Sequence, residues 1–209
     1  MRLDGPREAL VALAAALATR DAEVVAEAVA RAVREADPDA VEEVLLQSHV
    51  FVGFPDALTA LALWREASGR PAPPSRGEGC EGWTRRGEQV CAEVYGANYP
   101  RLRANVVAVH PEMDRWMVEG GYGRVIGRPG LDLATRELCI LALLAVWNTP
   151  RQLHSHLRGA LNAGAVAEEV DAAVEVACGY VDADAAGRVR ALWSEVRGRA
   201  LATSRGEAG

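Results

Sequence analysis

The sequence lies over itself. With Trp64 aligned on Trp193, an offset of 129 residues (193 − 64), "LQSHVFVGFPDALTALALW" (46–64) covers "EVACGYVDADAAGRVRALW" (175–193) without a gap. Phe51 then meets Tyr180, and Ala57 meets Ala186. The same offset puts "REALVALAAAL" (7–17) over "RELCILALLAV" (136–146), so Arg7-Glu8 meets Arg136-Glu137. Between these blocks "AVREA" (32–36) meets "ALNAG" (160–164) after a slip of one residue. The pattern is that of two copies of a unit of about 60 residues. A unit that short buries its apolar faces poorly alone, so the copies are expected to pack together as one domain.

Both copies read as helix. Ala, Leu, Arg and Glu dominate, and the two-residue alternation of half-buried strands is scarce, which makes the expected fold class all-α. Helices are expected over 7–18, 21–36, 38–52, 55–67, 83–95, 98–108, 111–121, 132–147, 150–163, 166–180 and 183–200. The Pro- and Gly-rich "SGRPAPPSRGEGCEG" (68–82) reads as a linker. The expected organisation is therefore a degenerate first copy over 1–67, a linker over 68–82 and a second unit over 83–209.

Several function classes drop out on composition. The net charge is −6, and all 23 basic residues are arginines interleaved with carboxylates, so no nucleic-acid partner is expected. No run of about 18 uncharged apolar residues marks a membrane span, and "MRLDGPREAL" has no apolar targeting segment. A cytoplasmic location without membrane association is the expectation. The four cysteines, Cys80, Cys91, Cys139 and Cys178, form no CxxC and no zinc-type spacing, and Cys139 and Cys178 sit in apolar helical patterns that suit small buried hydrophobes.

Two helices carry residues that could do chemistry. In "DLATRELCILALLAVWN" (132–148), Asp132 is a good N-cap. At about 100° per residue, Leu133, Ile140, Leu141 and Leu144 form one stripe, with Glu137 in its middle. A carboxylate on the core-facing side of a helix is costly unless partnered. It is either a structural glutamate paired with an arginine such as Arg103 or Arg158, or a proton-transfer group in an apolar setting. The next helix, "RQLHSHLRGALNAG" (151–164), bears His154 and His156. These lie about 200° apart on a helix and border the apolar stripe on opposite flanks, so they do not clamp one metal and periodicity does not choose between them. The short "WNTP" connection makes the two helices antiparallel neighbours, which lets Glu137 meet His156. In the first copy Glu8 takes the place of Glu137, while the histidine positions become Ala26 and Ala28, so any Glu–His chemistry belongs to the second copy. Ahead of the first helix, "GGYGRVIGRPGLD" (120–132) reads as a loop. It supplies Tyr122, Arg124 and Arg128; an arginine at a cleft mouth would suit a carboxylate, and surface arginines are the alternative.

"RPGLD…TREL" before the first helix, "QLHSHLRGALNAG" on the second and the "EEV" that opens the third resemble the carboxymuconolactone decarboxylase family, in the wider AhpD-like group. The resemblance covers about 120–200, and 7–66 more weakly through the repeat. It implies an AhpD-like all-α fold, cofactor-free chemistry, and a small-molecule substrate. It also implies assembly of single units as trimers or hexamers, from which a two-copy chain is expected to form a homotrimer or a multiple of it. Carried over by position, the family's glutamate is Glu137 and its histidine His156. Redox members of the group carry a cysteine pair where this sequence has Thr149 and Gln152, so a peroxidase role is not expected. Decarboxylase members act on a carboxylated lactone. By the resemblance, Glu137 and His156 would handle the proton, Arg128 or Arg136 would hold a carboxylate, Tyr122 would donate a hydrogen bond, and Thr149 and Gln152 would line the site. The alternative is a non-catalytic binding or assembly module of the same fold. Roles for His49, His110 and His154 are not readable from the sequence.

Overall fold

A computed structural model describes residues 3–206. The element order is α1 (Gly5–Thr19), α2 (Ala22–Glu35), α3 (Pro38–Ser68), α4 (Trp83–Tyr95), α5 (Tyr99–Val109), α6 (Pro111–Trp116), α7 (Leu133–Val146), α8 (Pro150–Asn162), α9 (Ala167–Cys178) and α10 (Ala183–Gly206). There is no strand among the described residues. The fold is all-α, as the composition implied.

Two helices make the centre. α1 is buried from Ala9 to Ala18 and α7 from Thr135 to Ala145, and they pack against each other. Their sequences are apolar around most of the helix, as a helix enclosed on all sides must be. Asp4 caps α1 by accepting from Arg7 N at 2.9 Å, and Asp132 caps α7 by accepting from Thr135 N at 2.8 Å. Such caps satisfy backbone donors that the first helical turn leaves free. Around this pair, α2 and α3 pack on α1, and α8 and α9 pack on α7.

α3 is one helix by length and two by geometry. Gly53 sits at φ 83°, outside helical space, with Pro55 just after it. The expected helices over 38–52 and 55–67 therefore exist as two arms joined at a glycine kink. By length and composition alone α3 could cross a membrane. In this fold Val41, Val44, Leu45, Val52, Ala57, Ala60 and Trp64 enter the core instead.

The reading of 120–132 as a loop holds for 127–132 and is corrected for 120–126. The chain continues from α6 as a wide-turned π-helical segment, Met117–Ile126, and irregular backbone begins only after it. Val118, Tyr122, Val125 and Ile126 are buried there and hold the segment in helical form against α4. The glycines allow close approach rather than a turn: a Cβ on Gly123 would lie 2.1 Å from Trp83 O, and one on Gly87 2.0 Å from Val118 O. π-Helical turns are rare and often found at functional sites.

Matched contacts recur in both halves. Trp64 Nε1 donates to Glu42 at 3.3 Å, and Arg65 pairs with the same carboxylate at 2.6 Å. Trp193 Nε1 donates to Asp171 at 2.5 Å, and Arg197 pairs with it at 2.7 Å. Across the halves, Arg7 of α1 pairs with Glu169 of α9, while Arg136 of α7 pairs with Glu43 of α3 at 2.9 Å.

Candidate active site

The first turn of α7 buries three consecutive polar side chains, Thr135, Arg136 and Glu137. Successive residues on a helix point about 100° apart, so each meets a different neighbour. Thr135 Oγ1 donates to Asp132 at 2.7 Å and accepts from Arg7 Nε at 3.0 Å. Arg136 turns to α3. Glu137 turns to α8.

There Glu137 Oε2 lies 2.7 Å from His156 Nδ1. Glu137 is fully buried and His156 is 6 % exposed. A carboxylate acceptor at this distance fixes the tautomer, with Nδ1–H donating and Nε2 carrying the lone pair of the neutral ring. Nε2 makes no hydrogen bond within the described chain and is not sealed off from solvent. Glu137 Oε1 is buried without a hydrogen-bond partner. Such an orphaned oxygen in a core is uncommon and calls for an explanation such as a catalytic role or an absent ligand.

The surroundings are tight and mostly apolar. A Cβ on Gly159 would stand 2.6 Å from Glu137 Oε2 and 2.8 Å from Val94 Cγ1, so only glycine lets α8 lie this close to both. The rings of Phe51 and Tyr95 stand edge-on to the His156 ring at 6.3 Å and 6.4 Å. Tyr122 is buried behind Tyr95, its hydroxyl donating to the Tyr95 oxygen at 3.3 Å. Burial, with the neighbouring Tyr95 and Glu137 adding to it, pushes the Tyr122 phenol well above its ordinary value, so it stays a donor. Burial likewise pushes the Tyr95 phenol up to about 12. Gly159, Val94, Tyr95 and Phe51 were not singled out from the sequence. For Gly159 a signal existed, since a glycine inside a helical pattern is costly and points to close approach.

The structure separates the other expected residues from this pair. Arg128 and Arg136, expected to hold a substrate carboxylate, both grip Glu43: Arg128 at 2.9 Å and 3.0 Å, Arg136 at 2.9 Å. Arg136 is 1 % exposed and also bonds Gln47 Oε1 and the Arg128 carbonyl. A guanidinium that deep needs a resident counter-charge, and Glu43 is that charge, so neither arginine stands free beside Glu137. Thr149 turns its hydroxyl back to Leu144 O at 3.1 Å, and Gln152 is exposed at the start of α8. His154 faces an outer cleft, away from His156. The arginines weighed as partners of Glu137 are also elsewhere: Arg103 pairs with Asp114, and Arg158 lines the cleft with His154. In the first half, Glu8 pairs with Arg31 at 2.9 Å.

Comparison with known proteins bears on the same stretch. Residues 111–195 match the model of the carboxymuconolactone decarboxylase family. This part of the chain is similar to that family. The matched stretch runs from α6 into α10 and holds Tyr122, Glu137 and His156, whereas Phe51, Val94 and Tyr95 come from outside it. No curated protein matches the chain.

Proposed function

We propose that Glu137 and His156 form the proton-transfer pair of a cofactor-independent acid–base reaction, a decarboxylation or related step on a small carboxylated lactone or carbonyl compound. The observation that carries the reading is the buried 2.7 Å contact between Glu137 Oε2 and His156 Nδ1. Glu137 accepts from Nδ1–H and so orients the ring. His156 Nε2 is the atom that exchanges a proton with substrate. In a decarboxylation the carbon–carbon bond breaks to release carbon dioxide, its electron pair stays on the substrate, and Nε2, having taken up a proton from solvent, delivers that proton to the carbon. Tyr122, held protonated by burial, gives its one proton to the Tyr95 oxygen and so helps hold the Tyr95 ring beside His156. The test is carbon dioxide release from γ-carboxymuconolactone by wild type and Glu137→Gln. Turnover by wild type with a loss of at least about 100-fold in the variant supports the pair, in the range that general acid–base groups contribute. Equal rates refute the assigned role.

A second reading, a non-catalytic binding or assembly module, is favoured by the enclosure of the pair: Glu137 has no exposed surface. It predicts a wild type that turns over no such substrate.

We also propose that residues 1–67 are a degenerate copy of the unit in 83–209, joined by the linker 68–82. The paired Trp64–Glu42 and Trp193–Asp171 contacts, both sets 129 residues apart, support this. So does Arg31, which pairs with Glu8 in the half that lacks the histidine. A homotrimer is the proposed assembly, and exposed Phe54, Leu58, Val109 and Trp116 supply apolar surface for it.

A further inference from the structure

A cleft of about 220 Å³ lies on the outer side of α8, between it and α5, with the end of α4 as its floor. His154, Ser155, Arg158 and Asn162 line it from α8, and Arg101, Leu102 and Asn105 from α5. The α8 residues share one outward face, which adjoins the face that turns His156 and Gly159 towards Glu137. No carboxylate lines the cleft. This is unusual for the chain, in which acidic residues outnumber basic ones, 29 to 23, and most of the ion pairs tie an arginine to one of them. Arg101 and Arg158 pair with no carboxylate among the described residues. Two unneutralised guanidinium groups, an imidazole and amide side chains therefore face one small volume over an apolar floor of Val94, Tyr95 and Leu102.

We propose that this cleft binds a small organic acid, its carboxylate taken by Arg101 and Arg158 and its carbon skeleton lying on Leu102, Val94 and Tyr95. Arginine is the residue suited to forked recognition of a carboxylate. The apolar floor distinguishes an organic acid from a bare inorganic anion, which would leave those side chains uncovered. The floor is shared with the buried pair. Tyr95 stands at 6.4 Å from the His156 ring, and Val94 packs where Gly159 meets Glu137. An acid held here therefore rests one side-chain layer from Glu137–His156 without depending on any chemistry there.

The experiment is an NMR titration of the full chain, following the histidine ring protons, with succinate as probe. Inorganic phosphate and neutral succinamide serve as comparisons. The expected result is a saturable shift of the His154 signal with succinate and none with succinamide, while His110, outside the cleft, stays still. Arg101→Gln with Arg158→Gln, both at exposed positions, is expected to weaken succinate binding by about tenfold or more. Glu137→Gln is expected to leave it unchanged, which separates this site from the proton-transfer reading. A His154 signal that does not respond, equal affinity in the arginine double variant, or phosphate binding as tightly as succinate would each overturn the proposal.

Discussion

Glu43→Gln is the substitution that most sharply separates a buried ion pair from a surface one. Glu43 is 4 % exposed and takes hydrogen bonds from both Arg128 and Arg136. Arg128 retains some access to water, but Arg136 does not. The variant leaves a charged guanidinium in the core, with Gln47 Oε1 at 3.2 Å, the Arg128 carbonyl at 2.9 Å and the Leu131 carbonyl at 3.3 Å as its remaining acceptors. Breaking a buried pair from one side costs about 3–5 kcal/mol. The glutamine keeps one carbonyl oxygen near Arg136, which places the expected loss near ~3 kcal/mol within that range. Against a typical total of about 5–15 kcal/mol, this moves the urea midpoint far enough to measure by far-ultraviolet circular dichroism. Arg190→Gln, which removes an exposed pair with Glu175, is the control and is expected to leave the midpoint in place. A loss below about 1 kcal/mol for Glu43→Gln, the range of exposed pairs, would refute the claim that Arg136 depends on this carboxylate.

Four further outcomes are expected. Burial works to raise the Glu43 carboxyl, but hydrogen bonds from Arg128 and Arg136 outweigh it and hold the group below its ordinary 4.5. Its stabilising contribution is therefore complete above that value and lost as pH falls through the lower folded-state value, so Glu43→Gln flattens part of the acid limb of stability against pH, and an unchanged limb contradicts this. Cys91 and Cys139 are buried with thiols pushed up to about 12, and Cys178 is buried with its thiol raised, so only exposed Cys80 reacts quickly with Ellman's reagent at pH 8; two fast thiols would contradict the burial. Gly159→Ala forces Glu137 or Val94 aside and is expected to cost about 1–3 kcal/mol, read by thermal unfolding, and an unshifted transition would show that α8 has slack. Light scattering at micromolar concentration is expected to give the mass of three chains, and a monomer refutes the proposed trimer.

Half of the Glu–His pair was legible in the pattern. Glu137 interrupts an apolar stripe, and a short connection makes the next helix its antiparallel neighbour, but periodicity leaves His154 and His156 tied on that helix, and only the family resemblance selects His156. The arginines were not legible. Arg128 and Arg136 stand beside the site in sequence, but helical geometry turns Arg136 about 100° from Glu137, towards a carboxylate 93 residues away. Long-range partners of this kind leave no local trace. The wide-turned segment through Ile126 was read as a loop because its glycines signal turns by default; here Gly123 serves close packing against Trp83 instead. Tyr95 was missed for a related reason: nothing in "AEVYGAN" distinguishes a tyrosine that closes a site from one that covers a core.

The central claim, that Glu137 and His156 act as one unit, is tested most directly by initial rates of γ-carboxymuconolactone turnover for wild type, Glu137→Gln, His156→Asn and the double variant. Residues that act together are strongly non-additive. The account predicts a large loss in each single variant and a double variant no slower than the slower single. Losses that multiply in the double variant, or single variants as fast as wild type, would contradict it.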